Sequence, residues 1–295
     1  MRRGLPVPLQ DALPQGATLL GVILSSHKTN ISVMSGNHVA HSLLISLANI
    51  DTNVYSKGSL HSHLLLALLP VPSFISKNSR VRGLLSNHLF HQCLDIVLHP
   101  LKAAAAIGVM MSYPIDNLWY CYMPLAVYIT DTPKQSLVSC MSTRASPIST
   151  AFHGQCDDNL LHPRHTVDQT RHKIHAICLK CNPDDFIKFL KFAKEYGLND
   201  VDIPFWIDWP LSNRAYFLKP EVLHHFHRFF FDHDLEWCIA VMGGAEIDYC
   251  FILIRTLVGY HGFKEGVSKL KQVTGYDHRV MQRYIIAIIA GAVLP

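Results

Sequence analysis

Two apolar runs, Leu19 to Leu24 and Leu43 to Ile50, bracket a polar stretch and constrain the fold more than any other feature of this chain. The first is interrupted only by Gly21, which suits a strand buried on both faces. Between them Ser35-Gly-Asn-His38 has turn chemistry, so the pair reads as an antiparallel hairpin. The polar segment Ser25-Ser-His-Lys-Thr29 is expected at the end of the first strand, where hydrophilic side chains meet an apolar sheet.

Further along, Leu64 to Leu69 reads as a third strand stopped by Pro70 and Pro72, which cannot continue a ladder. Arg82 to Met111 has helical spacing, and Pro100 is expected to divide it into two packed segments. Leu118 to Met123 and Leu125 to Thr130 are aromatic and β-branched enough for strands, broken at Pro124, and Lys134 to Cys140 reads as a helix opening. The sum is an α/β part, a mixed sheet of about four or five strands with helices over it. Residues 142 to 165 lose periodicity and make the best boundary. Beyond it helices are expected over Val167 to Cys181, Pro183 to Tyr196, Pro220 to Met242 and His278 to Ala290.

With 49% hydrophobic and 16% charged residues in 295, the chain has ample material for a core and is not disordered throughout. Residues 1 to 150 hold ten Lys/Arg against five Asp and no Glu, an excess that suits a polyanionic partner as readily as an ordinary surface. Met1-Arg-Arg leads into prolines rather than an apolar stretch, so no signal peptide is expected, and no run reaches the roughly 18 apolar residues of a membrane span. Eight cysteines without framework spacing read as free thiols.

Several stretches, in this order, resemble the core of the Plavaka-type transposases of basidiomycete fungi, relatives of the CACTA and Kyakuja-Dileera-Zisupton elements. They are Ser25 to Thr29, Gly83 to Ser112, Pro124 to Pro133, Phe205-Trp-Ile-Asp-Trp-Pro210, Leu223 to Cys238 and Gly262 to Gly275. The resemblance implies an RNase H-like α/β part over residues 18–142 after a loose leader (1–17), then a linker or insertion (143–165) and a mainly helical part (166–295). It implies DNA as partner, a nuclear location, Mg²⁺ or Mn²⁺ as cofactor, and self-association or association with a full-length transposase. In that family the first strand ends in a pattern like Ser-Ser-Asp-Lys-Thr, whose aspartate looks like a metal-binding carboxylate. This chain has His27 there, so the resemblance implies Asp131 as metal ligand and catalytic residue and His27 as a degenerate catalytic position.

Two divalent ions about 4 Å apart need several hard oxygen donors, and an imidazole offers one neutral nitrogen instead. A third carboxylate would come from Glu195, Glu221, Glu236, Glu246, Glu265 or an aspartate, and the sequence does not choose. His172, His175, Cys178 and Cys181 have zinc-ligand composition. On a helix, however, such ligands fan over about half the circumference and climb roughly 13 Å, so no zinc is expected. His224, His227, Asp232 and Asp234 suit a metal or phosphate contact, or local hydrogen bonds beside packed phenylalanines. Lys28, together with Lys264, Lys269 and Lys271 on an expected solvated helix face, is a candidate contact to DNA phosphates, weak and indifferent to sequence.

The chain opens about seventeen residues before its first core strand and ends on the apolar run Tyr284 to Val293, and is read as truncated. The expectation is a catalytically inactive transposase-like protein. Its alternatives are a non-catalytic nucleic-acid-binding or protein-binding remnant, a decayed reading frame, and an active metal-dependent DNA strand-transferase.

Overall fold

The structure is a computed structural model describing residues 10–11, 13–31, 38–113, 117–155, 158–219, 223–254, 262–271 and 273–290. The chain divides into two compact units, Met1–Lys219 and Pro220–Pro295.

The first unit is mixed α/β. Its larger sheet has four strands, β2 (Val22–Asn30), β3 (Val39–Leu47), β4 (Leu64–Leu69) and β7 (Leu125–Ile129), in the order β4-β3-β2-β7. The β2–β3 and β3–β4 pairs are antiparallel, whereas β7 runs parallel to β2. A second, three-stranded sheet joins β1 (Thr18–Leu19), β6 (Leu118–Tyr122) and β5 (Val109–Ser112) in the order β1-β6-β5.

The expected first strand is therefore two strands in two sheets. Leu20 donates to the Tyr122 carbonyl and Val22 to the Pro124 carbonyl, so the chain changes sheets at Gly21. The polar segment Ser25 to Thr29, expected at the end of the first strand, is part of β2, which runs on to Asn30 because β3 pairs with it along its whole length. The hairpin is as expected, its tip at 32–37 outside the described residues.

Helix α1 (Ser79–Ile107) starts at Asn78, whose side chain accepts from Arg80 N and Val81 N. It passes through Pro100 as one helix rather than two, and ends at Gly108. Val109 to Met111, expected to be helical, form β5 instead; their β-sheet partner lies on β6, which local spacing does not reveal. The buried stripe Phe90, Leu94, Leu98 and Ala105 of α1 joins Val22, Leu24, Leu43 and Tyr128 in the main core.

Phe205-Trp-Ile-Asp-Trp-Pro210 plugs that core. Phe205, Trp206 and Trp209 are buried, and both indoles find carbonyl acceptors, Trp206 Nε1 on Val138 at 2.6 Å and Trp209 Nε1 on Met123 at 3.2 Å. Asp208 and Asp95 both pair with the buried Lys102. A second cluster packs Met141 and Ala145 against α3 (Val167–Cys178) and α4 (Phe186–Glu195), which follow the short α2 (Thr132–Val138). Residues 143–155 and 158–165 thus lie within the first unit.

The second unit is helical. Its described residues open with wide, π-type turns over Leu223–Arg228 and Phe230–Leu235, and continue as α5 (Glu236–Met242), α6 (Gly244–Leu253) and α7 (Gly275–Ile289). Leu235, Ile247, Phe251, Val280, Met281 and Ile285 form its core. Thr274 and Asp277 make a reciprocal capping box at the start of α7.

Residues 262–271, expected as a solvated helix face, are turns. Asp248 on α6 fastens them, accepting from Val267 N (2.7 Å), Ser268 N (2.8 Å) and Ser268 Oγ (2.6 Å). Its carboxyl is held below the ordinary aspartate range by these donors, against the opposing effect of burial. The turn requires Gly266, whose φ is +80° and where a Cβ would stand 2.3 Å from Asp248 Cγ. Gly266→Ala should therefore cost the second unit about 2 kcal/mol or more, and Asp248→Asn about 1–2 kcal/mol. Hydrogen exchange along α6 and α7 would report both; unchanged protection in Gly266→Ala would contradict the assignment.

Candidate functional site

β2 and β7 lie side by side, as the expectation of a shared site at their ends requires. Their last paired rung is Ser25 with Ile129, and Thr130 Oγ1 donates to the Ser26 carbonyl at 3.3 Å, so His27 and Asp131 each lie two residues beyond that rung. Tyr128 Oη donates to Ser26 Oγ at 3.0 Å, fastening the two strands on the core face.

Strand alternation separates the side chains of this stretch. Val22, Leu24 and Ser26 are buried against the core, so Ile23, Ser25 and His27 belong to the other face. His27 is exposed there. Lys28 returns to the core face, and its cross-strand partner in the register is His41.

Asp131 is half-buried and caps α2, its Oδ1 accepting from Lys134 N at 3.0 Å. The Asp-Thr-Pro-Lys sequence explains this locally, with an aspartate at the cap and proline inside the first turn. The first turn of α2 carries the Lys134 side chain to His41, where Nζ lies 2.6 Å from Nε2. His41 is 7% exposed and stacks on Phe90, with ring centroids 5.7 Å apart. Burial first, then the ammonium groups of Lys134 and Lys28, push its pKa down to about 4, so the neutral ring accepts a hydrogen bond from the Lys134 ammonium. Lys134 is itself lowered, by burial and by Lys28, against the pull of Asp131.

Sequence reasoning singled out Asp131, His27 and Lys28 here and missed His41 and Lys134. His41 was legible only through strand register. Lys134 was legible as the third residue of a proline-started helix capped by Asp131.

These residues do not fit a pair of divalent ions. Asp131 is the one carboxylate of the cluster, its neighbours are cationic or neutral nitrogen donors, and among the described residues no three His, Cys, Asp or Glu side chains are placed to hold a metal ion. Of the glutamates considered, Glu195 is exposed at the end of α4, Glu236, Glu246 and Glu265 are exposed in the second unit, and Glu221 lies outside the described residues. The His172 to Cys181 quartet is spread around α3 and beyond its end: His172 and His175 are exposed, Cys181 is buried, and His172 Nδ1 donates to the Asp168 carbonyl at 2.7 Å. In the second unit His227 donates to Gln282 Oε1 at 2.6 Å and Arg228 pairs with Asp232, while the His224 side chain lies outside the described residues. Lys264, Lys269 and Lys271 are exposed on the turns after α6.

Two surface clefts, of about 490 and 270 Å³, share no residue with the cluster; Arg82 and Ser86 line the larger, Arg171 and Asn213 the smaller. Among the described residues no helix is long and apolar enough to cross a membrane. Among curated proteins the sequence finds no match. Residues 7–238, by contrast, match the family model described as Plavaka transposase. That match spans most of the first unit and reaches into the second, taking in both β2 and β7, and the chain belongs to the Plavaka transposase family.

Proposed function

We propose that this protein is a transposase-like derivative of a fungal transposable element that contacts DNA in the nucleus without cutting or joining it. The observation that carries the reading is the setting of Asp131, which stands with Lys134, Lys28 and His41 rather than with further carboxylates. The pairing of β2 with β3 on one side and, in parallel, with β7 on the other supports an RNase H-like ancestry for the sheet. His27, at the position where the family resemblance calls for a carboxylate, supplies no anionic oxygen and belongs to the opposite face of the sheet from His41. Strand transfer of this class depends on clustered anionic donors, so their loss is expected to cost on the order of a thousandfold or more in rate.

The test is a nicking assay on supercoiled DNA with Mg²⁺ and with Mn²⁺. The unaltered chain should leave the substrate intact with Mg²⁺, any residual nicking appearing with Mn²⁺ first because it tolerates nitrogen ligands better. Robust Mg²⁺-dependent cleavage that disappears in Asp131→Ala would overturn the reading. DNA binding, measured at two salt concentrations, should be weak, indifferent to sequence and reduced by salt, since lysines contact phosphates without reading bases.

A further inference from the structure

The geometry points to an oxyanion site of the phosphate class formed by Lys134, Lys28 and His41 at the end of β2 and the start of α2. The inference rests on the non-catalytic reading above and goes beyond it by assigning the ligand that the altered centre would take.

Three features of the cluster support a site built for an anion. His41 is more than nine-tenths buried and fixed by stacking on Phe90, and its Nε2 holds one N–H of Lys134. An ammonium has three donors, so that contact orients Lys134 and leaves two N–H groups for a ligand. Lys28, opposite His41 in the β2–β3 register and on the same face, adds a second positive charge. Against these two cations stands the single carboxylate of Asp131, whose Oδ1 is engaged by the backbone of α2. Lys28 and Lys134 are like charges in one cluster; the proton affinity of Lys134 is lowered first by burial and then by the Lys28 ammonium, against the pull of Asp131. A bound anion would relieve the repulsion between the two ammonium groups, whereas a dication would add to it.

The groups facing the site come from three elements: Lys28 from β2, His41 from β3, and Asp131 with Lys134 from the start of α2. Phosphate oxygens would accept from Lys134 and Lys28, while the buried ring of His41 keeps Lys134 extended. Inorganic phosphate and a DNA 5′-phosphate present the same chemistry.

Titration calorimetry of the whole protein with inorganic phosphate and, separately, with a 5′-phosphorylated oligonucleotide against its 5′-hydroxyl counterpart tests this. Lys134→Gln should weaken phosphate binding about tenfold or more and Lys28→Gln several-fold, while the exposed Lys191→Gln on α4 should change nothing. The decisive variant is Asp131→Asn, which keeps a helix-capping side chain and removes the one negative charge. Phosphate should then bind about two- to fivefold tighter. Tighter binding of the 5′-phosphorylated oligonucleotide than of its counterpart would identify a strand end as the source, and equal binding a free phosphate.

Phosphate affinity unchanged in Lys134→Gln, or weakened in Asp131→Asn, would overturn the proposal. So would stoichiometric Mn²⁺ binding, seen by water-proton relaxation and lost in Asp131→Asn. Failure here with DNA left uncut would leave the non-catalytic reading standing, whereas Mg²⁺-dependent nicking would remove both.

Discussion

Arg214→Ala is expected to lower the stability of the first unit by about 3–5 kcal/mol, among the largest effects of any single substitution in this chain. Arg214 is 1% exposed, and among the described residues no carboxylate forms an ion pair with it. Its charge is held instead by Thr170 Oγ1 at 3.0 Å, by the Pro147 carbonyl at 2.8 Å and by the face of Trp206, whose centroid lies 5.8 Å from the guanidinium carbon. Burial pushes its pKa down to about 10, still well above neutrality, so the guanidinium remains charged. The side chain ties the segment after β7 to α3 and to the tryptophan plug. Truncation would leave a cavity beside Trp206 and strip the Pro147 carbonyl of a donor.

Arg214→Met separates the two contributions, because it keeps most of the volume and removes the buried charge. Desolvation relief then offsets the lost hydrogen bonds, and a cost of only about 1–2 kcal/mol is expected. Urea unfolding followed by tryptophan fluorescence would measure both variants, with Trp206 and Trp209 in the first unit as reporters. A loss below about 1 kcal/mol in Arg214→Ala would show that the side chain is not buried as described.

Acid should unfold the first unit through histidines rather than carboxylates. His41, His91 and His165 each have a pKa pushed down to about 4, with burial the largest cause in every case. A folded-state pKa below the unfolded value of 6.5 means that the unfolded chain takes up the proton more readily. The stabilising contribution is therefore complete above about pH 6.5 and is lost as the pH falls toward 4. His91 makes the strongest case, since it is 1% exposed, its Nε2 donates to the Leu137 carbonyl at 3.0 Å and its Nδ1 accepts from Phe205 N at 3.3 Å. That ring is neutral in the folded protein and alone accounts for roughly 3 kcal/mol across the window. His41 and His165 lose their contributions over the same window.

One group works in the opposite sense. His88 lies 3.4 Å from Asp200 and 3.6 Å from Asp202, and although burial lowers its pKa, the two aspartates raise it further, leaving it above the ordinary value. Its contribution is present below pH 6.5 and fades as the pH rises through the folded value, so it softens the acid loss without reversing it. Stability measured by urea unfolding from pH 7 to pH 4.5 should fall by several kcal/mol, and His91→Gln should flatten that slope. A flat profile in the unaltered protein would refute the assignment.

The elements that the sequence announced are those whose causes lie within a few residues. Apolar runs marked β3, β4 and β7 to within a few residues, with Pro70 closing β4. The helix expected over Pro183 to Tyr196 is α4, and the one expected to open at Lys134 is α2, which starts two residues earlier at Thr132. The same locality explains the misreadings. Val109 to Met111 continue the helical spacing of α1, yet they become a strand because β6 pairs with them. Thr18 and Leu19 continue an apolar run, yet they belong to another sheet because Gly21 carries the chain from Tyr122 to Pro124.

The candidate site divides along the same line. Asp131, His27 and Lys28 were legible because each sits at a recognisable place in a short motif. That His27 belongs to the opposite sheet face from Lys28, and that Lys134 meets His41 across 93 residues of chain, was decided by tertiary structure. Strand register assigns every side chain to one face or the other, and register comes from pairing between distant segments, which no local pattern contains. The sequence carried the family and placed His27, Lys28 and Asp131 near strand ends; the fold decided which charges gather around Asp131.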